Sequence, residues 1–510
     1  MHDVNDEVHN SARELAAVIA SHGEWLYTEP RRDQTIPLRR GEIEVRAERH
    51  RIWLTCFGEY GVQIWRVVNW DWTEVKLLIQ AEQRAGGVRV NLLFLPRATA
   101  AAALEVIAAE RRERSRKMAE LVAAEMPGFV VERASLSPGV GSGQPGRYAR
   151  IVLNEKGRRR IAVTGSVADG GNASPDVLLS GAMLWFNRLK DLVGKPAFTG
   201  LRFVGLKPMC DVLERRICLL RESLRREIEL FELAEDWTSA KRRTAFNAGS
   251  LWTTKPPLIR RPPEPIVSET AAAIAAQAPD AIDVTRGGRG ETVRFHGLAF
   301  ARIRQLLGKE HVWFGIDRAK RRVVTDRSLP EFGSYLDELR EHRSADTSDR
   351  NHAMYRGAPE NWLESMLRRD VTQLDPGLRL APIYAQFRAP FDPPSVPRPV
   401  DLLALRQDGR LAVIELKVAA DREHVFQGLD YWTRIELHRR WGTIQRARLF
   451  DDAMIADEPP LVYLVAPMLS FHRNFSALAQ SVSPEIEIYR FDLNEDWRAG
   501  IKVTRRVRCN

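Results

Sequence analysis

Five prolines within residues 253–265 limit the fold of this chain more than any other feature. Each proline fixes its own φ angle and removes a backbone N–H, so neither a helix nor a central strand can continue through this stretch. The stretch therefore predicts an extended, semi-rigid linker between two parts of the chain. A loop rich in Gly, Pro and Ser at residues 137–146 has no apolar periodicity and predicts a second boundary.

At 510 residues the chain is too long for one hydrophobic core, and the fold class we predict is multidomain α+β and α/β. Hydrophobic periodicity predicts an N-terminal β-rich domain with a long helix at 1–137 and an α/β to helical domain at 147–252. In the second domain, strands are predicted near 149–153 and 160–164, and helical periodicity dominates 176–248. A small α+β domain is predicted at 266–350, with strands at 292–300 and 311–316, and a further α/β domain at 355–510.

Composition and charge narrow the classes of function. No apolar run reaches 18 residues, which predicts no membrane-spanning helix. The four cysteines lack C-x-x-C spacing, which favours a protein of the reducing cytoplasm. Of the net charge of +10, residues 355–510 carry +1 and the preceding residues +9. This surplus suits a polyanionic partner such as nucleic acid, and a solvated basic surface without a partner is the alternative.

The last domain has the clearest pattern. Its periodicity predicts a helix at 359–375, strands at 380–387, 400–405 and 411–416, and a helix at 421–440. A strand at 461–465, a helix at 471–480 and a strand at 485–491 follow. The order αβββαβαβ predicts a mixed sheet with helices on both faces.

Three charged residues stand on two of these apolar strands. Asp401 lies at the start of one strand, a tight turn at 406–410 follows, and Glu415 and Lys417 share one face of the next strand. Lys417 is the one lysine between Lys320 and Lys502, in a chain with 12 lysines among 77 basic residues, so a compact amine is indicated there. Charges at buried strand ends are costly unless they bind something, and a divalent cation with hard oxygen ligands fits.

The spacing D-x13-E-x-K, with the preceding helix and the αβββαβ order, resembles the PD-(D/E)XK nuclease superfamily. Gln427 and Tyr431 add a Q-x-x-x-Y pattern similar to that of the RecB-type branches, and the segment is also similar to the C-terminal domain of NucS-like enzymes. Val400 precedes Asp401 where the family name has proline, and Pro399 lies one position earlier. The resemblance covers about residues 355–510 and implies a restriction-endonuclease-like core.

The resemblance implies roles for seven residues and a function. The metal ligands would be Asp401 and Glu415 with the carbonyl of Leu416, the catalytic residues would include Lys417 and an auxiliary acid, Glu364, and the substrate-binding residues would be Gln427 and Tyr431. We expect Glu364 and Gln427 to lie on helices packed on one side of the sheet. The implied protein is a Mg²⁺- or Mn²⁺-dependent endonuclease in genome defence or repair. Its partner is DNA rather than RNA, and a homo-oligomer or protein partner stays open.

Other interpretations of the same residues stay open. The three strand residues are a structural ion pair if the domain is a catalytically inactive nucleic-acid-binding or scaffold module. Glu364 is four residues from Arg368, so a surface ion pair is the alternative for it. His424 and His438 are predicted to be solvated surface residues. Further back, the interleaved tryptophans at 65, 70 and 72 are predicted to pack in a core, and stacking on unpaired bases is the alternative.

Overall fold

The computed structural model describes residues 2–29, 34–48, 50–58, 61–83, 89–139, 146–168, 174–191, 197–243, 248–262, 267–287, 290–306, 309–316, 321–390 and 399–510. Residues 263–265 of the predicted linker and 140–145 of the second predicted loop lie outside this range. The chain divides into two compact units, Met1–Leu251 and Trp252–Asn510, and each holds helices and two β-sheets. The protein is therefore a multidomain α+β protein. No helix in the described ranges is long and apolar enough to span a membrane.

The first unit opens with a helix, seven strands and a long helix: α1 His2–Ala20, β1 Glu24–Glu29, β2 Gln34–Arg39, β3 Ile43–Glu48, β4 Arg51–Gly58, β5 Gly61–Thr73, β6 Lys76–Gln83, β7 Arg89–Pro96 and α2 Ala100–Ala124. The strands form one antiparallel sheet in the order β2-β1-β7-β6-β5-β4-β3. Helix α1 covers one face, where Leu15, Trp25 and Trp65 are buried. On the same side, Trp70 donates its ring N–H to the Ser11 hydroxyl at 2.9 Å. Trp70 and Trp72 are partly buried and pack against the same core as Trp65, so the predicted core packing of these three tryptophans is confirmed.

The second sheet is mixed and follows in the same unit: β8 Val130–Leu136, β9 Tyr148–Asn154, β10 Arg160–Ser166, α3 Pro175–Asp191, β11 Phe198–Leu206, α4 Lys207–Ile217, α5 Glu222–Arg225, β12 Ile228–Leu233 and β13 Ala240–Arg242. Its order is β13-β12-β11-β10-β9-β8, with β10, β11 and β12 parallel. Helices α3, α4 and α5 lie in the stretch 176–248, where helical periodicity predicted them, but the three strands between and after them were not predicted. Strands β11 and β12 are buried on both faces and so lack the alternation that marks a half-buried strand.

The second unit begins with a five-stranded antiparallel sheet and two helices: α6 Glu269–Ala276, β14 Ile282–Gly287, β15 Gly290–Phe295, β16 Leu298–Leu306, β17 Lys309–Phe314, β18 Arg322–Val323 and α7 Leu329–His342. Helices α6 and α7 cover one face, around Val293, Phe300 and Leu336. The single strand predicted at 292–300 is two strands, because the chain turns at His296 and Gly297.

The last sheet has six strands: α8 Ala353–Arg356, α9 Pro359–Arg369, β19 Tyr384–Phe387, β20 Val400–Leu405, β21 Leu411–Leu416, α10 His424–Arg440, α11 Thr443–Arg446, β22 Leu461–Pro467, α12 Phe475–Gln480, β23 Ile488–Leu493 and β24 Val503–Arg508. The strands lie in sequence order, with β21, β22 and β23 parallel and the other pairs antiparallel. Helix α9 packs on the face of Leu402 and Ile414, and α10 packs on the face of Leu403 and Val413. The expectation that both helices lie on one side is therefore wrong.

Within this unit, the turn between β15 and β16 packs directly against α9. Gly297 has φ +74°, and a Cβ there would meet the carbonyl oxygen of Asn361 at 2.0 Å, so this approach requires glycine. Beside it, the ring of His296 stacks on Trp362 with 5.0 Å between centroids.

A buried arginine stabilises the same contact between the β15–β16 turn and α9. Arg343, which follows α7, is fully buried and donates to the carbonyls of His296 at 2.7 Å, Met354 at 2.6 Å and Gly357 at 2.7 Å. Its guanidinium also lies over the ring of Trp362 at 4.7 Å. Burial lowers the pKa of Arg343 to about 9. Its partners are backbone carbonyls rather than a carboxylate, so one side chain ties the five-stranded sheet to the start of α9.

Candidate active site

The hairpin of β20 and β21 brings three predicted residues together. Leu402 pairs with Ile414, and continuing this register places Asp401 beside Glu415. The Leu416 N–H donates to the Asp401 carboxylate at 2.9 Å, and the Lys417 ammonium donates to Glu415 at 2.6 Å. The two carboxylates and the amine therefore form one site at the end of two buried strands.

Burial and like charge shape the protonation of this site. The side chain of Glu415 is 1% exposed, and that of Lys417, its ion-pair partner, is 12% exposed. Burial and the neighbouring Asp401 raise the pKa of Glu415 to about 8, and burial also raises the pKa of Asp401. Burial alone would lower the pKa of Lys417, but attraction by Glu415, Glu360 and Asp401 outweighs it and raises that pKa above its ordinary value. The lysine is consequently a cation.

One carboxylate oxygen of Glu415 receives no hydrogen bond within the part of the chain that the structure describes, although the Asp401 carboxyl group lies within hydrogen-bond reach of Glu415. Oε1 of Glu415 accepts from Lys417, whereas Oε2 is buried and accepts no hydrogen bond from any described residue. An unsatisfied buried acceptor costs about 1–3 kcal/mol, more when it is charged. This orphaned oxygen is the kind of group that a bound cation would satisfy.

The donor set fits a hard divalent ion. Asp401 and Glu415 supply carboxylate oxygens, and the Leu416 carbonyl oxygen lies 3.4 Å from the Lys417 amine, at the same strand end. No cluster of three or more His, Cys, Asp or Glu side chains suited to a metal occurs within the described ranges. The residues that could hold a metal here are thus two carboxylates and one backbone carbonyl.

A residue that the sequence did not predict links α9 to this site. Gln386 lies in edge strand β19 with φ +50°, a left-handed conformation that is uncommon outside glycine. The register places it opposite Asp401. Its carboxamide donates to Glu364 at 2.7 Å and to Asp401 at 3.3 Å. No spacing in the sequence relates Gln386 to either partner, so only the fold shows this contact.

Glu364 lies in the site rather than on the surface. It is 4% exposed, and burial raises its pKa, although the hydrogen bond from Gln386 and the charges of Arg368 and Arg294 oppose that shift. Arg368 approaches Glu364 at 3.7 Å, so the predicted pair exists, but its acid is buried. Through Gln386, Glu364 is linked to Asp401 on β20 from the α9 side of the sheet.

The two predicted substrate-binding residues on α10 are both buried. No hydrogen bond joins Gln427 to Asp401, Glu415 or Lys417 within the ranges that the structure describes. Tyr431 packs with the core residues on the α10 side of the sheet. Their contact with substrate stays a prediction.

The two histidines of α10 are buried, so the prediction of solvated surface residues is wrong. Nε2 of His424 lies 3.3 Å from the carbonyl oxygen of Glu415, and the ring stacks on Phe471. His438 contacts the Thr443 hydroxyl and the carbonyl of Pro390, each at 2.7 Å. Burial lowers the pKa of His424 to about 3 and that of His438 to about 4, so both rings are neutral. His424 supports the backbone of β21 beneath Glu415.

Comparisons of the chain with protein-family models, with curated proteins and with solved structures found no match. A functional assignment therefore depends on the residues of the site and on their arrangement.

Proposed function

We propose that this site belongs to a metal-dependent endonuclease of the PD-(D/E)XK type that hydrolyses phosphodiester bonds in DNA. The observation that carries the proposal is the buried, unpartnered Oε2 of Glu415 beside a second carboxylate and one ammonium group. A purely structural ion pair is most stable when every buried oxygen is satisfied. In a site that binds a cation, the cation itself satisfies an oxygen that receives no hydrogen bond from the protein.

Mg²⁺ or Mn²⁺ is the cofactor that this donor set suits, held by Asp401, Glu415 and the Leu416 carbonyl. Such an ion supplies Lewis-acid polarisation of the phosphate and lowers the pKa of a bound water. Asp401 is oriented for this task from two sides, by the Leu416 N–H and by the Gln386 carboxamide.

Lys417 would stabilise charge rather than remove a proton. Because its pKa is raised, the amine is a hydrogen-bond donor that Glu415 holds at 2.6 Å. A preorganised cation next to a reacting phosphate stabilises the negative charge that builds up in the transition state. The pKa of Glu364 is raised as well, and through Gln386 this residue acts on the position of Asp401 rather than on substrate.

A second candidate function is a catalytically inactive DNA-binding domain. The ion pair between Lys417 and Glu415 favours it, since this pair neutralises one carboxylate without a metal. In that protein the site would bind no divalent ion.

The test compares the wild type with Asp401→Ala and Lys417→Arg, using Lys502→Arg at an exposed position as the matched control. Cleavage of single- and double-stranded DNA and of RNA is followed with Mg²⁺, with Mn²⁺ and in EDTA, and Mn²⁺ binding is measured by calorimetry. We expect metal-dependent cleavage by the wild type and the control, and losses of about 100-fold or more in both site variants. The planar guanidinium is too wide for the place of an ammonium.

Full activity of either site variant would contradict the mechanism. Absence of both cleavage and Mn²⁺ binding in the wild type would favour the inactive DNA-binding domain.

A further inference from the structure

The five-stranded sheet of the second unit has two unlike faces. Helices α6 and α7 cover the inner face. The outer face carries five half-buried side chains, which we call the Arg–Trp face: Arg294, Arg302, Arg304, His311 and Trp313. They alternate along β15, β16 and β17 with the apolar residues of the inner face.

The strand register sets these side chains side by side. Trp313 lies directly opposite Arg302, and Arg304 lies opposite His311. The rings of His311 and Trp313 have centroids 5.7 Å apart. An indole next to guanidinium groups on an open strand surface has the composition of a platform on which bases stack.

The seven-stranded sheet contains the same pattern with a different charge balance. There, Trp53 lies opposite Arg46 on one side and Arg66 on the other. Each of these arginines pairs with a carboxylate, Arg46 with Glu44 at 2.5 Å and Arg66 with Glu82 at 2.6 Å.

On the Arg–Trp face, positive charge is left over. Neither Arg294 nor Arg304 forms an ion pair with any carboxylate among the described residues, and the buried Nε of Arg294 has no hydrogen-bond partner there. Two acids lie near Arg294: Asp283, which pairs with Arg368 at 3.3 Å, and Glu364, whose ionised form the charge of Arg294 favours. The face is therefore complementary to a polyanion.

A chain of contacts links the Arg–Trp face to Glu364 of the candidate active site. Arg294 lies opposite Asp283 in the register of β14 and β15. Arg368 on α9 contacts both Asp283 and Glu364, at 3.3 Å and 3.7 Å. The junction at Gly297 holds β15 and β16 against the same helix. A single DNA strand bound along the Arg–Trp face would thus approach α9 and Glu364.

We propose that the Arg–Trp face binds single-stranded DNA and leads it to the catalytic site, an inference that rests on the proposed nuclease function. An unpaired base stacks on Trp313, and the three arginines contact the phosphates on either side. A duplex keeps its base faces stacked inside the helix and cannot offer one to the indole. The face therefore selects DNA with an unpaired stretch.

The test measures binding by the full chain in EDTA, so that no cleavage is needed. The probe is a fluorescent oligothymidylate 20-mer, and anisotropy gives the affinity of the wild type, Trp313→Ala, Trp313→Phe and the matched control Trp53→Ala. We expect Trp313→Ala to weaken binding about tenfold, with Trp313→Phe and Trp53→Ala within about threefold of the wild type. Melting curves verify that each variant is folded.

The salt dependence tests the arginines separately. Arg294→Gln and Arg304→Gln should each make the slope of log K against log salt shallower by about 0.7, whereas the control Arg46→Gln should not. Unchanged affinity and slope in the variants of the Arg–Trp face would overturn the proposal. So would binding of duplex DNA, of RNA or of an acidic peptide that depends on Trp313 as strongly as the oligothymidylate does. If Asp401→Ala and the wild type both bind but neither cleaves, the proposed function fails and this binding face does not.

Discussion

Two of the buried charged clusters around the sheet of β19 to β24 differ in one respect. In the first, Asp375 is 3% exposed, and its oxygens accept from Arg406 at 2.6 Å, from the Tyr463 hydroxyl at 2.6 Å and from the Gly377 N–H at 3.0 Å. Burial alone would raise the pKa of Asp375, but these partners outweigh it and lower that pKa. In the second cluster, Glu415 keeps one oxygen without a partner and its pKa is raised.

The comparison shows that a buried ion pair does not by itself indicate a role. A carboxylate whose oxygens are all satisfied stabilises the fold, because ionisation and folding favour each other. A buried carboxylate with an unsatisfied oxygen destabilises the fold, so it is a candidate for binding a ligand. The Asp375 cluster is of the first kind, and under the proposed function the Glu415 cluster is of the second kind.

The largest effect that would sharpen this contrast is that of Glu415→Gln. We expect cleavage to fall about 1000-fold, since the proposed cation ligand is lost, while the variant in EDTA is no less stable than the wild type. Glu485→Gln, at an exposed site, is the matched control. Local stability is read from urea-dependent hydrogen exchange of peptides in β21 and β22. A strongly destabilised variant with normal cleavage would place Glu415 in the structural class.

Asp375→Asn should show the reverse pattern, a loss of stability with little change in cleavage. Removing the charge leaves the half-buried Arg406 beside an amide and takes away the buried carboxylate that Tyr463 and Gly377 donate to, so the free energy of unfolding should fall by about 2 kcal/mol. Cleavage per folded molecule should stay within about twofold of the wild type, because the catalytic strands keep their contacts. Asp408→Asn is the control, since Asp408 also pairs with Arg406 but is 54% exposed, and it should cost under about 1 kcal/mol. Equal effects of the two variants, by the same exchange measurement, would remove the contrast.

The two clusters should also respond to pH with opposite signs. The folded pKa of Asp375 is depressed, so its stabilisation is complete above the ordinary carboxyl pKa of about 3.9 and is lost as pH falls below that value. The folded pKa of Glu415 is about 8, above its ordinary value, so ionising it costs stability as pH rises toward 8. In EDTA, the stability of Glu415→Gln should therefore rise relative to that of the wild type between about pH 5 and 8. Parallel pH profiles of the two variants would contradict this assignment.

The smallest effect concerns Gln386, which adopts φ +50° to reach Glu364 and Asp401. Gln386→Gly keeps the backbone conformation without strain but removes the donor, so cleavage should fall about tenfold with little change in stability. Gln386→Ala should lose the same activity and in addition about 1 kcal/mol of stability, because alanine is strained in this conformation. Normal cleavage by the glycine variant would show that Gln386 does not position the site.

Local patterns account for what the sequence predicted correctly. The bounds of β20 and β21 agree with prediction because the turn at 406–410 and the alternation on both sides of it are local signals. The meeting of Asp401, Glu415 and Lys417 follows from that hairpin alone. Strand β24 was missed because Val503–Arg508 has four polar residues among six and lies at the sheet edge.

What the sequence did not predict depends on distant parts of the chain. The side of the sheet on which α9 packs, the contact of Gln386 with Glu364 and the charge balance around Arg294 each involve elements that no spacing relates. The same holds for His424 and His438, whose burial depends on the packing of α10 between β21 and neighbouring loops.

Arg343 determines where the polypeptide can be divided for study. A fragment that begins at residue 355 would keep the Gly357 carbonyl and the left-handed Ala358 before α9, but it would lack the guanidinium that holds this turn. It would also expose the face of Trp362 on which that cation lies. A fragment that begins at residue 267 retains Arg343 together with the backbone carbonyls to which it donates. Tests of the proposed catalysis and the proposed DNA binding therefore call for point substitutions rather than truncation at residue 355.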